Sequence, residues 1–291
     1  MIIRFGKFEA TMICSVIIAI TFFTAVSAER KAVNASAQTE FVELPIIMYH
    51  HITETPEKTG KYTVHTSEFS SDLEYIESNG FTPVSVSELI EYVNGNTILP
   101  ENPIMITFDD GFESFYSLAY PMLKEKNMKS VVSVIGKVTE IYSENEDHNI
   151  NYSNLTFDQI NELISSGIVE VENHSYDMHH SRQGKRKGIS KLKDETDEEY
   201  KDNLTKDLLT LQKILKQKCG ITPKCVVYPY GAYSSGTLQT IKKLGFKCSM
   251  VCEERINRIV RNDPDSLFNL GRYNRPSGIS SEVFFEKLLT Q

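Results

Sequence analysis

Two hydrophobic periodicities alternate along the chain. Short runs of consecutive apolar residues are bounded by turn residues and are typical of strands buried on both faces. Segments with an apolar residue at every third or fourth position follow them and are typical of amphipathic helices. The apolar runs predict strands at 45–52, 81–86, 103–110, 129–136, 168–175, 224–231 and 246–254. The helical periodicity predicts helices at 66–80, 87–95, 113–127, 156–167, 196–220, 234–245 and 281–289.

Two local signals refine the predicted helices. Ser87 stands at the start of the helical pattern 87–95, where a serine favours an N-cap. Pro121 falls inside the pattern 113–127. Proline costs about 3 kcal/mol in a helix interior, so we expect a kink or a break there.

The alternation of strands and helices determines the predicted fold class. From about residue 100 onwards strand and helix alternate about six times, which is typical of a mostly parallel sheet, open or closed. This number of units favours an α/β fold in the form of a distorted (β/α) barrel of parallel strands. In such barrels the chemistry gathers at the carboxyl ends of the strands.

The N-terminal residues have the pattern of an export signal. Arg4 and Lys7 precede the apolar stretch 11–28, which ends in small residues. The apolar core of about 15 residues is short for a membrane-spanning helix, which needs about 20. We therefore expect 1–28 to be a signal peptide or an N-terminal membrane anchor, 29–43 a linker and 44–291 the catalytic domain. The expected location is extracellular or at the cell surface.

Charge and cysteine content narrow the classes of partner. The formal net charge of −8 disfavours a nucleic-acid partner. After the N-terminal segment the chain holds four cysteines, which allow disulfides in three connectivities or remain buried free thiols. Both alternatives stay open, as does the oligomeric state. The cysteines are Cys219, Cys225, Cys248 and Cys252.

Reactive side chains follow three of the predicted strands, and a fourth strand ends in "YPYG" at 228–231. His50 and His51 end the first strand, Asp109 and Asp110 end the strand 103–110, and the segment 174–180 after another strand holds three histidines. Two histidines five positions apart and one carboxylate from another strand form the ligand set of a catalytic zinc site. The second aspartate would then be free to accept a proton from water activated by the metal.

Three motifs resemble the polysaccharide deacetylase family, carbohydrate esterase family 4. They are "TFDDG" at 107–111, "HSYDMH" at 174–179 and "YPYG" at 228–231. The start "IIMYHHI" resembles the exported poly-N-acetylglucosamine deacetylase branch. The resemblance covers roughly 44–291 and implies the removal of N-acetyl groups from N-acetylglucosamine-containing polymers by an enzyme with a deacetylase-type barrel.

The resemblance also implies roles for individual residues. Asp109 resembles the general base, and the backbone N–H of Tyr230 resembles the donor that binds the oxyanion. The remaining motif residues resemble the ligands of a divalent metal, which is zinc by preference, with cobalt or iron as alternatives. These implied ligands are Asp110, His174 and His179.

The chain departs from the family pattern in two places. Many members carry an arginine that holds the catalytic aspartate, and Val227 occupies the corresponding place here. Many also carry a C-terminal histidine as general acid, whereas no histidine follows His180. In the exported branch a histidine resembling His50 takes the role of the acid, and we assign that role to His50.

Two alternative functions remain open at this point. One is a metal-dependent amidase or O-esterase acting on another substrate. The other is a catalytically weak carbohydrate-binding homologue. Peptidoglycan, poly-N-acetylglucosamine and chitin-like polymers share the reacting group, and their discrimination would depend on the predicted loops 138–155 and 181–196.

Overall fold

The computed structural model describes residues 41–145, 147–181 and 186–289. The predicted signal or anchor at 1–28 lies outside the described residues, as does the predicted linker up to residue 40. Residues 41–43, also assigned to the linker, form part of the first strand. Their apolar and polar positions alternate over too few residues to predict a strand.

Twelve strands lie within the described residues. They are β1 Phe41–Leu44, β2 Ile46–Tyr49, β3 His51–Thr53, β4 Thr63–His65, β5 Thr82–Pro83, β6 Pro103–Phe108, β7 Ser130–Val134, β8 Val169–Asn173, β9 Cys225–Val227, β10 Cys248–Met250, β11 Asn257–Val260 and β12 Tyr273–Asn274.

Eight α-helices accompany these strands in the same part of the chain, and a π-helical turn, Phe115–Ala119, precedes the third of them. The helices are α1 Thr66–Ser78, α2 Val86–Val93, α3 Tyr120–Glu125, α4 Gly136–Asn145, α5 Phe157–Ser165, α6 Asp197–Cys219, α7 Thr237–Lys243 and α8 Ser281–Leu289.

The central sheet is parallel and curls into a distorted barrel. Its strand order is β10-β9-β8-β7-β6-β2-β12, and β5 pairs with β6 as a branch. The segment that contains β12 touches both edges of the sheet. Leu270 bridges to Met250 of β10, and Tyr273 then pairs with Ile47 of β2. The predicted distorted (β/α) barrel is therefore confirmed.

Alternation along the strands decides which side chains face the barrel interior. In β6, Ile104, Ile106 and Phe108 pack in the cluster that contains the helices α1 and α8. Met105 packs in a separate cluster with residues of the opposite strands. Successive side chains point to opposite faces, so Asp109 follows on the same face as Met105. By the same alternation His50 shares the face of Ile46 in β2.

A buried carboxylate interrupts the ladder between β8 and β9. These strands pair only at Asn173 and Val226. Beside that pair, Glu172 accepts hydrogen bonds from the backbone N–H groups of Lys224 and Cys225 at 2.8 and 2.7 Å. The side chain thus replaces the backbone partners that a continuous ladder would supply. Burial raises the pKa of Glu172 well above its ordinary value.

Several predicted boundaries shift in the structure. Ser85, not Ser87, caps α2, because its hydroxyl accepts from the N–H of Glu88 while Ser87 bonds to Glu170. The helical pattern is irregular next to Pro121 but does not break there: a π-helical turn, Phe115–Ala119, runs directly into α3, which has Pro121 in its first turn. The predicted loop 138–155 begins inside α4.

The four cysteines are free thiols, which decides between the two alternatives left open by the sequence. Cys225 and Cys248 face each other in register on neighbouring strands, and both are fully buried. Within the part of the chain that the structure describes, no helix combines the length and apolar character needed to cross a bilayer.

Candidate active site

A left-handed turn separates the directions of the two adjacent aspartates. The strand β6 ends at Phe108, and the next residues to depart from it are Asp110 with φ 69° and Gly111 with φ 65°. A Cβ atom at Gly111 would lie 3.0 Å from Cγ1 of Val134 and would also be strained by the positive φ, so both the space and the conformation favour glycine there. Asn154 fixes the turn by donating to the carbonyl of Asp110 at 2.7 Å.

Asp109 is locked to a buried arginine from the segment that closes the barrel. The guanidinium of Arg272 donates to both carboxylate oxygens of Asp109 at 2.7 and 2.8 Å. Arg272 is fully buried, and its Nε donates to the carbonyl of Val251 at 3.1 Å. Burial alone would raise the pKa of Asp109, but the charge of Arg272 lowers it to about 2. Asp109 is therefore ionised at neutral pH.

Arg272 corrects the expectation that the chain lacks the arginine of the family pattern. The residue at the expected place, Val227, contributes its backbone carbonyl to the site instead. Arg272 comes from a different segment, which lies 163 positions from Asp109 in sequence. No local periodicity marks this arginine, so only the closure of the barrel reveals its role.

The histidine loop after β8 is held from two sides. Nδ1 of His174 lies 2.8 Å from the carbonyl of Val227. The other ring nitrogen, Nε2, is therefore available to face Asp110. On the other side, the backbone N–H groups of Tyr176 and Asp177 both donate to the carboxylate of Asp207 in α6 at 2.8 Å. Helix α6 thus positions the loop from outside the barrel.

Three ligand-type atoms converge beside the turn. Nε2 of His179 and Nε2 of His174 lie 3.0 and 3.3 Å from Oδ1 of Asp110. One ligand atom from each residue lies within 4.8 Å of the other two. Bonds of about 2.0–2.2 Å to a tetrahedral ion would separate its ligands by about 3.3 Å. The three residues therefore fit a divalent cation of the zinc type.

The chemistry of the carboxylate supports the same fit. Oδ1 of Asp110 is buried, and no hydrogen bond of acceptable geometry reaches it among the described residues. Burial acts to raise the pKa of Asp110, but the neighbouring His174 and His179 outweigh that effect and lower the pKa below its ordinary value. A buried ionised oxygen without a satisfying donor is expected where a cation completes the site.

His50 and Tyr230 join the acids and the histidines around one cavity of about 670 Å³. Burial lowers the pKa of His50, and the carboxylates of Asp109 and Asp110 oppose that shift. Tyr230 has φ 58°, and its hydroxyl lies 3.4 Å from Nδ1 of His179. All six residues to which we assigned roles therefore lie together.

The other two candidate histidines differ in position. His51 also lines the cavity, but its ring packs 5.1 Å from Phe112 and both of its ring nitrogens are buried without partners among the described residues. His180 lines a separate cavity next to Asp207. His51 therefore shares the cavity with His50, whereas His180 does not line it.

Comparison with known protein families gives a match over part of the chain. The family model described as "Polysaccharide deacetylase" matches residues 97–249, just over half of the chain. That range contains the metal-type cluster, whereas His50 and Arg272 lie outside it.

Two curated relatives are poly-beta-1,6-N-acetyl-D-glucosamine N-deacetylases. The Escherichia coli K12 protein is 25% identical over 69% of this chain, and the match spans 32% of the relative's length. The Staphylococcus aureus MRSA252 protein is 27% identical over 78% of this chain and 71% of its own length. The chain thus spans about a third of the E. coli relative.

A solved structure shares the fold. The Streptococcus pyogenes deacetylase PplD in complex with acetate superposes with a TM-score of 0.69 at 24% identity. The superposition covers 86% of this chain and 99% of that chain.

The buried ion pair generates a test of stability. Arg272→Met should lower the free energy of unfolding by about 3–5 kcal/mol, because it leaves the carboxylate of Asp109 buried and uncompensated. Urea unfolding followed by circular dichroism measures this loss. The control Arg258→Met removes an exposed arginine that stacks on Phe41 and should cost about 1 kcal/mol or less.

A double variant distinguishes the lost pair from a general packing defect. Adding Asp109→Asn to Arg272→Met removes the uncompensated charge, so the double variant should be more stable than the single one. Equal losses for Arg272→Met and Arg258→Met would contradict the assignment.

Proposed function

The chain belongs to the polysaccharide deacetylase family, and we propose that it is a metal-dependent enzyme that hydrolyses the N-acetyl groups of an N-acetylglucosamine polymer. One observation carries the proposal: Asp110, His174 and His179 converge beside an ionised Asp109 in a single open cavity. Family membership supports the reaction type, and the convergence supports the mechanism.

The three converging residues would hold the metal. Two imidazoles and a carboxylate suit zinc and leave coordination positions for water and substrate, and cobalt or iron fit the same donors. When bound, such an ion lowers the pKa of water and polarises the acetyl carbonyl. The hydrogen bond between His174 and the carbonyl of Val227 fixes the imidazole that would bind the ion.

Asp109 would act as the general base. Its carboxylate takes the proton of the attacking water, which requires that it be ionised before the reaction. Arg272 supports this by lowering the pKa of Asp109 to about 2 against the opposing effect of burial. The bidentate contact also fixes the orientation of the carboxylate.

Tyr230 and His50 both line the cavity and would complete the reaction. We assign the backbone N–H of Tyr230 to the developing oxyanion, where such a donor is worth a few kcal/mol. The position of Tyr230 beside His179 supports this assignment. His50 would give a proton to the sugar nitrogen as the C–N bond breaks, because an amide anion is a poor leaving group.

The relatives support the substrate class. Both curated relatives act on poly-beta-1,6-N-acetyl-D-glucosamine. We therefore place poly-N-acetylglucosamine first among the N-acetylated polymers that the cavity would admit. An amidase or O-esterase on another substrate, and a weakly active carbohydrate-binding protein, are the outcomes that turnover assays on a defined oligomer would separate.

Export follows from the N-terminal pattern and is also a proposal. The motive is the positive start, the short apolar stretch and the small-residue end near Ala28. We expect the mature chain to begin near Glu29, or residues 29–291 to stay outside the membrane on an uncleaved anchor. N-terminal sequencing of the protein from the cell-surface and culture fractions measures this, and an intact chain found only in the cytoplasm would contradict it.

The proposed metal site predicts a specific pattern of metal loss. The protein purified with zinc should hold one ion per chain, and His179→Ala should lose most of it because one of three protein ligands is gone. Elemental analysis after desalting measures the occupancy. His180→Ala is the matched control and should keep its ion, since His180 lines a different cavity. Full occupancy in His179→Ala would rule out this ligand set.

The proposed acid predicts a substrate-dependent loss. His50→Gln should keep the metal but lower kcat on an N-acetylglucosamine oligomer by roughly 10²-fold, the usual worth of general acid catalysis. A chromogenic acetyl ester should be largely spared because its leaving group needs little protonation. His51→Gln is the control. Should His51→Gln show the selective loss and His50→Gln none, the acid would be His51.

A further inference from the structure

A second, smaller compartment adjoins the catalytic cavity. It has a volume of about 240 Å³, and three residues line both spaces: Lys61, Glu254 and Asn274. Pockets for whole drug-sized ligands run from about 300 to 1,000 Å³. The compartment is therefore of a size for one further unit of a ligand that already occupies the catalytic cavity.

The far wall of the compartment is apolar and exposed. Ile279 and Val283 are 38% and 58% exposed, and Phe284 and Pro276 lie beside them. Exposed apolar side chains grouped next to a catalytic cavity are typical of a binding surface. Such a wall would contact the apolar face of a sugar ring or the methyl of an acetyl group.

The polar residues of the compartment carry a net positive charge. Glu254 is paired with Lys287 at 2.7 Å, so its carboxylate is already matched. Lys61 adds a second cation at the junction with the catalytic cavity. Asn274 is fixed by its bond to the carbonyl of Lys61 at 2.8 Å. A neutral unit would be accepted here, whereas an ammonium group would meet repulsion.

We propose that this compartment binds the sugar unit adjacent to the one being deacetylated, and that it favours a neighbour that still carries its N-acetyl group over one that bears a free amine. The identity of the ligand rests on the proposed function. The compartment's contacts make it a determinant of specificity, and its residues take no part in the bond-breaking step.

This preference would shape the product. Once a unit has lost its acetyl group it becomes a poorer occupant of the compartment, so deacetylation of the next unit on that side is slowed. The enzyme would then leave free amines scattered along a chain and would seldom produce long deacetylated blocks.

A double variant tests the apolar wall. Val283→Ser with Ile279→Ser should lower kcat/KM on a β-1,6-linked N-acetylglucosamine pentamer by roughly fivefold, mainly through KM, because apolar contact is lost. Turnover of 4-nitrophenyl acetate by the metal-loaded enzyme should stay at the wild-type rate, since the ester is too small to span both spaces. Leu289→Ser is the matched control, because Leu289 is 43% exposed at the end of the same helix and does not line the compartment.

A second arm tests the charge preference. The wild-type enzyme should deacetylate an oligomer with an acetylated neighbouring unit at least about threefold faster than an oligomer with a free amine at that unit. Lys287→Gln should reduce this ratio of rates, because Glu254 then lacks its partner and attracts the amine. Mass spectrometry of partly converted pentamer gives the positions of the amines. If the double variant shows wild-type kinetics on the pentamer, the apolar wall is not a binding surface. If Lys287→Gln leaves the ratio of rates unchanged, the proposed charge preference is wrong.

The failure of the subsite and the failure of the proposed function have different signatures. If the wild type hydrolyses neither substrate, the proposed function is wrong, and the calorimetric affinity for the pentamer decides the subsite alone. Weaker binding by the double variant than by Leu289→Ser would support the subsite, and equal binding would refute it. If the wild type hydrolyses both substrates and the variants match it, only the subsite is refuted.

Discussion

The buried ion pair between Asp109 and Arg272 is the interaction on which the site depends. A carboxylate at the end of a fully buried strand is costly unless a cation and hydrogen bonds compensate it. Arg272 supplies both through a bidentate contact, and it stands on the segment whose ends touch the two edges of the sheet. The segment that closes the barrel therefore also keeps the proposed base ionised in its buried position.

The rest of the site is arranged around that pair by elements that do not react. The turn at Asp110 points the second carboxylate away from Arg272 and towards the histidines. Asp207 of α6 holds the histidine loop from outside, while the carbonyl of Val227 holds His174 from inside. The histidine loop thus has supports on a helix and a strand, which is the arrangement that keeps a site rigid.

The sequence predicts the order of elements and the gathering of reactive residues, because burial on one or two faces leaves a periodicity and parallel strands end at one rim. It predicts less well whatever depends on contacts between distant residues. Arg272 has no local pattern, and its role exists only once the barrel closes. Ser87 stands where the sequence predicts a helix cap, but in the structure it bonds to Glu170 of β8. Ser85 caps α2 instead. Strand 103–110 ends early because Asp110 adopts a left-handed conformation that its residue type does not require.

Three residues of the site share that left-handed conformation although none is glycine: Asp110, Ser175 and Tyr230 have φ of 69°, 85° and 58°. Such conformations cost of order 1–3 kcal/mol each. Glycine would relieve the cost at all three positions but would delete a carboxylate, a hydroxyl that bonds to Met178, or an aromatic wall. At these three positions stability therefore favours glycine, whereas the chemistry of the site favours the residue that is present. Substitutions that raise the thermal stability of the protein are therefore better placed in the outer helices and loops, away from the active site.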